Sequence, residues 1–534
     1  MKILLKAVVS ALVALSIVSP AHAQIGEAAV TGGRVSGVVA NGVASFKGIP
    51  FAAPPVGAWR WKAPQPVAPW SGVKQATRFG PSCVQDPNFA KLFGASGNLS
   101  EDCLYLNVWT PAKTAADRLP VMVWIYGGGF VGGMTSIPAY DGTHFASKGV
   151  VLVSIAYRLG VFGFLAHPDL SRESGNKGSG TYGLQDMIAG LKWVQANIDR
   201  FGGDPHRVTI FGESAGGIAV SMLAASPAAK GLFQGAISES GGNFGPPRVS
   251  NEGGATAPSL AVAEQTGRSF LDKLGANDIN AARQLPAETL QAALGPGLQT
   301  MFWPVFDGNI LPGNQYELYL AKRFNDTPVL IGTNSDEGAL FAQPGVTPAS
   351  FGSQVRAGYG ARADQILAAY PHASNEEAAK AAKDLFRDSA FAWPTWAWAT
   401  LQAQKGTHRA FVYYFDHRTA QSPNGANHGS EIPFVFGNLN GPGGGVIGLG
   451  GPPRPQDIAM SDLVNSYWVN FAKTGDPNGA GLPRWPAFTP DAPNAMILDA
   501  QPSARPLPNM TQLKAMDQYF AWRRSTAKAI TSSR

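Results

Sequence analysis

The stretch VTIFGESAGG, Val208 to Gly217, limits the possible folds more than any other part of the chain. Val208, Thr209, Ile210 and Phe211 are β-branched or aromatic and read as a short buried strand. Gly212 and Gly216 then flank Ser214 in a G-x-S-x-G pattern. Glycine adopts backbone angles that other residues avoid, and it leaves room where a chain turns sharply. The small apolar run that follows, GGIAVSMLAAS, reads as a buried helix. Strand, tight turn with a serine, then helix is the setting in which a serine nucleophile stands at the top of a sheet. The same residues also fit a glycine-rich turn with an incidental serine, so the remaining chain must discriminate.

Strands alternate with helices along the chain. LYLNVWTP, LPVMVWIYGGGF, GVVLVSIAYRLGVFGFL, GAISESGG, TPVLIGTNSDEG and RAFVYYFDHR each contain a near-continuous apolar strand. Between them, YGLQDMIAGLKWVQANIDRFGGDP has helical spacing: Leu184, Met187, Ile188, Leu191, Val194 and Ile198 share one face, and Gly202-Gly203 ends the run. This pattern predicts an α/β fold with a mainly parallel sheet covered by helices on both faces. Residues 28–52 read as a small antiparallel meander, and the proline- and tryptophan-rich residues 53–72 as extended chain. The segments around 246–300 and 342–405 read as helical insertions over the carboxyl edge of the sheet, where open α/β sheets bind ligands. GPGGGVIGLGG contains a G-x-G-x-x-G match at Gly443, Gly445 and Gly448, but without strand or helix around it this reads as a loop rather than a dinucleotide site.

A serine hydroxyl needs a base, and the base needs an orienting acid. In the hydrolases built on such a turn the chain order is serine, acid, histidine. Asp336 and Glu337 leave a strand in IGTNSDEGAL. Of the eight histidines, only His372, His408, His417 and His428 follow both Ser214 and that acidic pair. His428 lies among glycines and small polar residues in NGANHGSEIPFVFG, a loop from which a ring reaches into a cleft. The three glycines of WIYGGGFVGG expose backbone N–H groups that, with the N–H of Ala215, suit an oxyanion. In FWPVFDG, Phe302 and Trp303 read either as lining of the acyl side of a pocket or as core.

The 534 residues are 45% hydrophobic and 15% charged, enough for a large core. MKILLKAVVSALVALSIVSPAHAQ reads as a secretory signal over residues 1–23, with cleavage after Ala23. Its apolar run from Ala7 to Val18, 12 residues, is short for a membrane span. Cleavage removes Lys2 and Lys6 and lowers the formal charge from +6 to +4. With no dense basic run, nucleic acid is not an expected partner. Export to an oxidising compartment, periplasm or medium, predicts a disulfide between the only cysteines, Cys83 and Cys103. Neither has a nearby histidine or CxxC spacing, so no metal site is expected. Residues 24–534 are expected to form one domain.

Together these stretches resemble the type B carboxylesterase family, α/β-hydrolases that include cholinesterases and bacterial carboxylesterases. The resemblance is carried by EDCLYLNVW (Glu101–Trp109), IYGGGF (Ile125–Phe130), FGESAGG (Phe211–Gly217), DEG (Asp336–Gly338), HGSEIPFVFG (His428–Gly437) and WVNFAKTGDPN (Trp468–Asn478), in the family's order. It implies a serine esterase acting on small-molecule esters without cofactor or metal. It also implies a triad of Ser214, Glu337 (rather than Asp336) and His428, oxyanion donors at Gly128, Gly129 and Ala215, the family's first disulfide at Cys83 and Cys103, and a gorge-lining acid at Glu213. Phe130, in the glycine stretch, joins Phe302 and Trp303 as candidate pocket lining. The segment Val84–Asp102 lacks the tryptophan with which cholinesterases bind a quaternary ammonium, which argues against a choline ester. Two other functions fit the same residues: cleavage of amides or carbamates by the same triad, and a non-catalytic binding protein on the same fold.

Overall fold

The computed structural model describes residues 24–92, 98–248, 256–295, 302–440 and 448–532. The expected signal, part of the 246–300 insertion and most of the GPGGGVIGLGG loop lie outside the described residues. Eleven strands form the main sheet: β1 (Val38–Ala40), β2 (Val43–Pro50), β3 (Tyr105–Thr110), β4 (Leu119–Ile125), β5 (Val151–Ile155), β6 (Gly203–Glu213), β7 (Gly235–Glu239), β8 (Val329–Asn334), β9 (Ala410–Phe415), β10 (Asn494–Leu498) and β11 (Ser503–Pro506). Their spatial order is β11-β10-β9-β8-β7-β6-β4-β5-β3-β2-β1. All pairings from β5 through β10 are parallel. β3, β2 and β1 add antiparallel on one side, and β11 on the other. Strands β5, β7 and β8 are buried along their whole length, as a sheet covered on both faces requires.

The expected meander divides in two. Glu27–Val30 pairs with Gly33–Ser36 in a small separate sheet, while β1 and β2 join the edge of the main one. Helix Tyr182–Asn197 buries the face read from its spacing, with Leu184, Met187, Leu191 and Val194 fully inaccessible. It tightens into a 3-10 turn, Ile198–Phe201, and stops at Gly202, whose φ of +72° supplies the left-handed end. The insertions are helical where described, with helices at Leu260–Lys273, Pro348–Tyr359, Asn375–Arg387 and Trp393–Lys405 among them. No helix among the described residues is long and apolar enough to cross a membrane.

Strand order reverses between β4 and β6, and a crevice opens at such a switch point beyond the carboxyl ends. The floor beneath it is aromatic: Trp124 of β4 packs on Phe211 of β6 and on Phe436, with ring centroids 4.8 and 4.9 Å apart. Removing a buried phenylalanine of this kind costs about 3–5 kcal/mol, so the turn carrying Ser214 rises from an unyielding part of the core.

Cys83 and Cys103 are disulfide-bonded, 20 positions apart. Loop-closure entropy assigns such a link about 3 kcal/mol. Replacing both cysteines by alanine is expected to lower the urea midpoint accordingly; an unchanged midpoint would remove the cross-link from the account of stability.

Candidate active site

Ser214 sits between β6 and helix Ala215–Ala225 with φ +56° and ψ −123°, a conformation that costs a non-glycine residue about 1–3 kcal/mol. Surrounding contacts hold it there. The Ser214 N–H donates to the carbonyl of Glu239 at the end of β7, 2.8 Å away, and the Ser214 carbonyl accepts from Ile218 at 2.8 Å. The flanking glycines are explained by contact with β4. A Cβ on Gly212 would stand 2.5 Å from the Ile125 carbonyl oxygen, and one on Gly216 2.0 Å from it. Only glycine lets the turn lie this close to the neighbouring strand end.

His428 bridges the serine to an acid. Its Nε2 lies 2.8 Å from Ser214 Oγ and its Nδ1 2.6 Å from Glu337 Oε2. A carboxylate only accepts, so Nδ1 donates, and the neutral ring has Nε2 free to accept the serine proton. Glu337 follows β8 directly and is fully buried. Its second oxygen accepts the Asn334 N–H at 2.7 Å and the Ser240 hydroxyl at 2.5 Å. Asp336, the other acid of that pair, turns away and pairs with Lys383 at 3.3 Å.

The three glycines leave β4 beside the serine. Gly128 and Gly129 have φ of +107° and +65°. A Cβ on Gly128 would lie 2.3 Å from the Gly132 carbonyl oxygen. Among the described residues, the N–H groups of Gly128, Gly129 and Ala215 have no backbone partner; Ala215 opens its helix, where N–H groups are left free. The glycine loop is clamped from the disulfide segment. Gln85 donates to the Gly133 carbonyl and accepts its N–H, both at 2.9 Å.

Four buried glutamates gather behind the imidazole: Glu213, Glu239, Glu337 and Glu431. Burial pushes the Glu213 carboxyl up to about 7, opposed by His428 and reinforced by Glu337. Burial likewise pushes Glu239 up to about 8, despite the Trp468 N–H it accepts at 2.7 Å. Glu431 is raised well above the usual range by burial and by the other three acids. Burial alone would depress His428, but Glu213, 3.3 Å from Nε2, and Glu337 together raise it to about 9. A base must be neutral, so ester turnover is expected to rise with pH as this ring loses its proton. Glu213→Gln removes one of the two anions favouring imidazolium. Its acid limb is therefore expected to move to lower pH, with a reduced plateau, in a pH profile of kcat/KM. A shift to higher pH would contradict this electrostatic account.

The rings meeting His428 are Phe391, stacked at 4.6 Å and 19°, and Phe341, edge-on at 5.3 Å. Phe130 is fully buried and packs on Phe164 and Trp303, each at 5.3 Å, while Phe302 packs on Phe270. All three have aromatic neighbours. Ser240, Asn334, Gln85, Glu431 and Phe391 escaped the sequence reading. Asn334 and Glu431 carried a local signal, each three positions from a triad candidate (Glu337 and His428) in a stretch already singled out.

A serine on a strained strand-to-helix turn of a mainly parallel sheet, followed in the chain by acid and histidine, defines an α/β-hydrolase. The model of the carboxylesterase family matches residues 21–520, and the chain belongs to that family. It is a carboxylic ester hydrolase. It is 38% identical to a fumonisin B1 esterase of Sphingopyxis macrogoltabida, over 85% of this chain and 83% of that protein. It is also 38% identical to a para-nitrobenzyl esterase of Bacillus subtilis, over 88% and 94%. A solved carboxylesterase of Geobacillus stearothermophilus superposes with a TM-score of 0.80 at 34% identity, covering 92% of this chain and 100% of that one.

Proposed function

We propose that the chain is an exported serine carboxylesterase, with residues 24–534 as one catalytic domain and residues 1–23 removed on export. Ser214 Oγ attacks the ester carbonyl while His428 Nε2 takes its proton. The Gly128, Gly129 and Ala215 N–H groups receive the charge that develops on the carbonyl oxygen, each about 2.7–4 kcal/mol of transition-state stabilisation. Glu337 holds the ring in the working tautomer and stabilises the imidazolium. The ring then gives its proton to the departing alcohol, and water activated by the same ring cleaves the acyl-enzyme. The observation carrying this reading is His428 within hydrogen-bond reach of both Ser214 and Glu337.

The relatives named for fumonisin B1 and para-nitrobenzyl esters support small-molecule esters as the substrate class. The test is intact mass and peptide mapping after incubation with a fluorophosphonate. One adduct, on Ser214, is expected. No adduct on folded protein, or one elsewhere, would overturn the assignment and favour a non-catalytic binding role. Turnover of a matched anilide above that of the ester would shift the assignment to amides. N-terminal sequencing of protein recovered from outside the cytoplasm, starting at Gln24, checks the export reading.

A further inference from the structure

The wall behind His428 is tied to both loops that carry its partners. Helix Asn375–Arg387 runs into a π-helical turn, Asp388–Ala392, and then into helix Trp393–Lys405. Such turns re-aim side chains and recur at functional sites. Here the turn lays Phe391 flat against the imidazole. Arg387, at the junction, is 4% exposed and has three acceptors. Its Nε donates to Asp388 at 2.8 Å, and its Nη1 donates to Asp384 and to the Ser335 carbonyl, both at 3.0 Å. Ser335 joins the two loops. Its hydroxyl accepts the Ala426 N–H at 2.8 Å, two positions before His428. The next residue, Asp336, donates its N–H to the Ala426 carbonyl at 2.9 Å, immediately before Glu337.

We propose that Arg387 is a positioning residue for ester hydrolysis: by joining the Ser335 carbonyl to the π-turn, it holds the Glu337 loop, the His428 loop and the Phe391 ring in one arrangement. This rests on the serine esterase reading above. A guanidinium presents donors in a rigid planar fork, so satisfying three acceptors at once commits all three to fixed places. Misplacement of a reacting group by about 1 Å costs on the order of a hundredfold in rate.

The test uses the double variant Arg387→Met/Asp388→Asn, which removes the Arg387–Asp388 pair without orphaning either charge, leaves Asp384 its Lys380 partner, and keeps an acceptor for the Tyr370 hydroxyl, 3.0 Å from Asp388 in the wild type. Active sites are titrated with fluorophosphonate, and kcat per titrated site, KM for p-nitrophenyl acetate, and the phosphonylation rate are measured. We expect kcat per site and phosphonylation to fall together by about ten- to a hundredfold, with KM nearly constant. Arg387→Lys, which keeps the charge but not the fork, should fall between this variant and wild type. Unchanged kcat per site with only fewer titratable sites would make Arg387 merely structural and overturn the proposal. So would a rise in KM alone. If the double variant does not fold, Arg387→Lys decides: wild-type kcat per site overturns the proposal. Ester turnover surviving in Ser214→Ala would instead sink the serine esterase reading itself, whatever the Arg387 variants do.

Discussion

Exchanging Ser214 for alanine is expected to lower p-nitrophenyl ester turnover by about a millionfold, the scale on which loss of a triad serine acts. The protein should stay folded. Alanine keeps the Cβ and the same backbone demand at φ +56°, and the Ser214 side chain caps no helix N–H. The bond lost is the one to His428. Circular dichroism and melting temperature, read beside turnover, separate this outcome from unfolding. A folded variant retaining a tenth of the activity would mean that another group performs the attack.

Glu337→Gln is expected to cost about ten-thousandfold in kcat, as an acid-to-amide change does in the same role elsewhere. One Glu337 oxygen accepts from His428, and the other accepts from both the Asn334 N–H and the Ser240 hydroxyl. An amide has only one acceptor oxygen. If its NH2 faces the imidazole, Nδ1 must become the acceptor, and the proton moves to Nε2, the wrong side for accepting one from serine. If its NH2 faces Asn334, two donors collide. The first orientation disables the ring as a base; the second keeps its tautomer but is disfavoured by that collision and lacks the anion that stabilises the imidazolium. Measuring kcat against melting temperature checks this: near-wild-type kcat at unchanged stability would remove Glu337 from the mechanism.

Local features carried most of what could be read beforehand. The apolar runs of β4 through β9, the helical spacing from Leu184 to Ile198, and the glycines around Ser214 each state a preference within a few residues. What escaped was long-range. Gln85 meets Gly133 across 48 positions, and Ser240 meets Glu337 across 97; no window of sequence contains both partners. β6 begins at Gly203, earlier than its apolar run, because Gly203 pairs with Leu119 before an irregularity and Val208 with Val121 after it. The polar residues between them hid the strand's start. The π-turn was also invisible, since FRDSAFAWP has no break that separates it from the helices on either side. Phe130, Phe302 and Trp303 show the same limit from another side: beside an active site, apolar aromatics read alike whether they face substrate or one another.

The two hydrogen bonds between Gln85 and Gly133 give the cross-link at Cys83 a second meaning. Gln85 lies two positions beyond that cysteine, and its amide holds the loop that carries the Gly128 and Gly129 N–H groups. The disulfide therefore braces the loop that bears the Gly128 and Gly129 N–H groups as well as the chain around the two cysteines. A chain whose two cysteines stayed reduced would keep the Ser214–His428–Glu337 contacts while the loop of Gly128 and Gly129 rested on an untethered support.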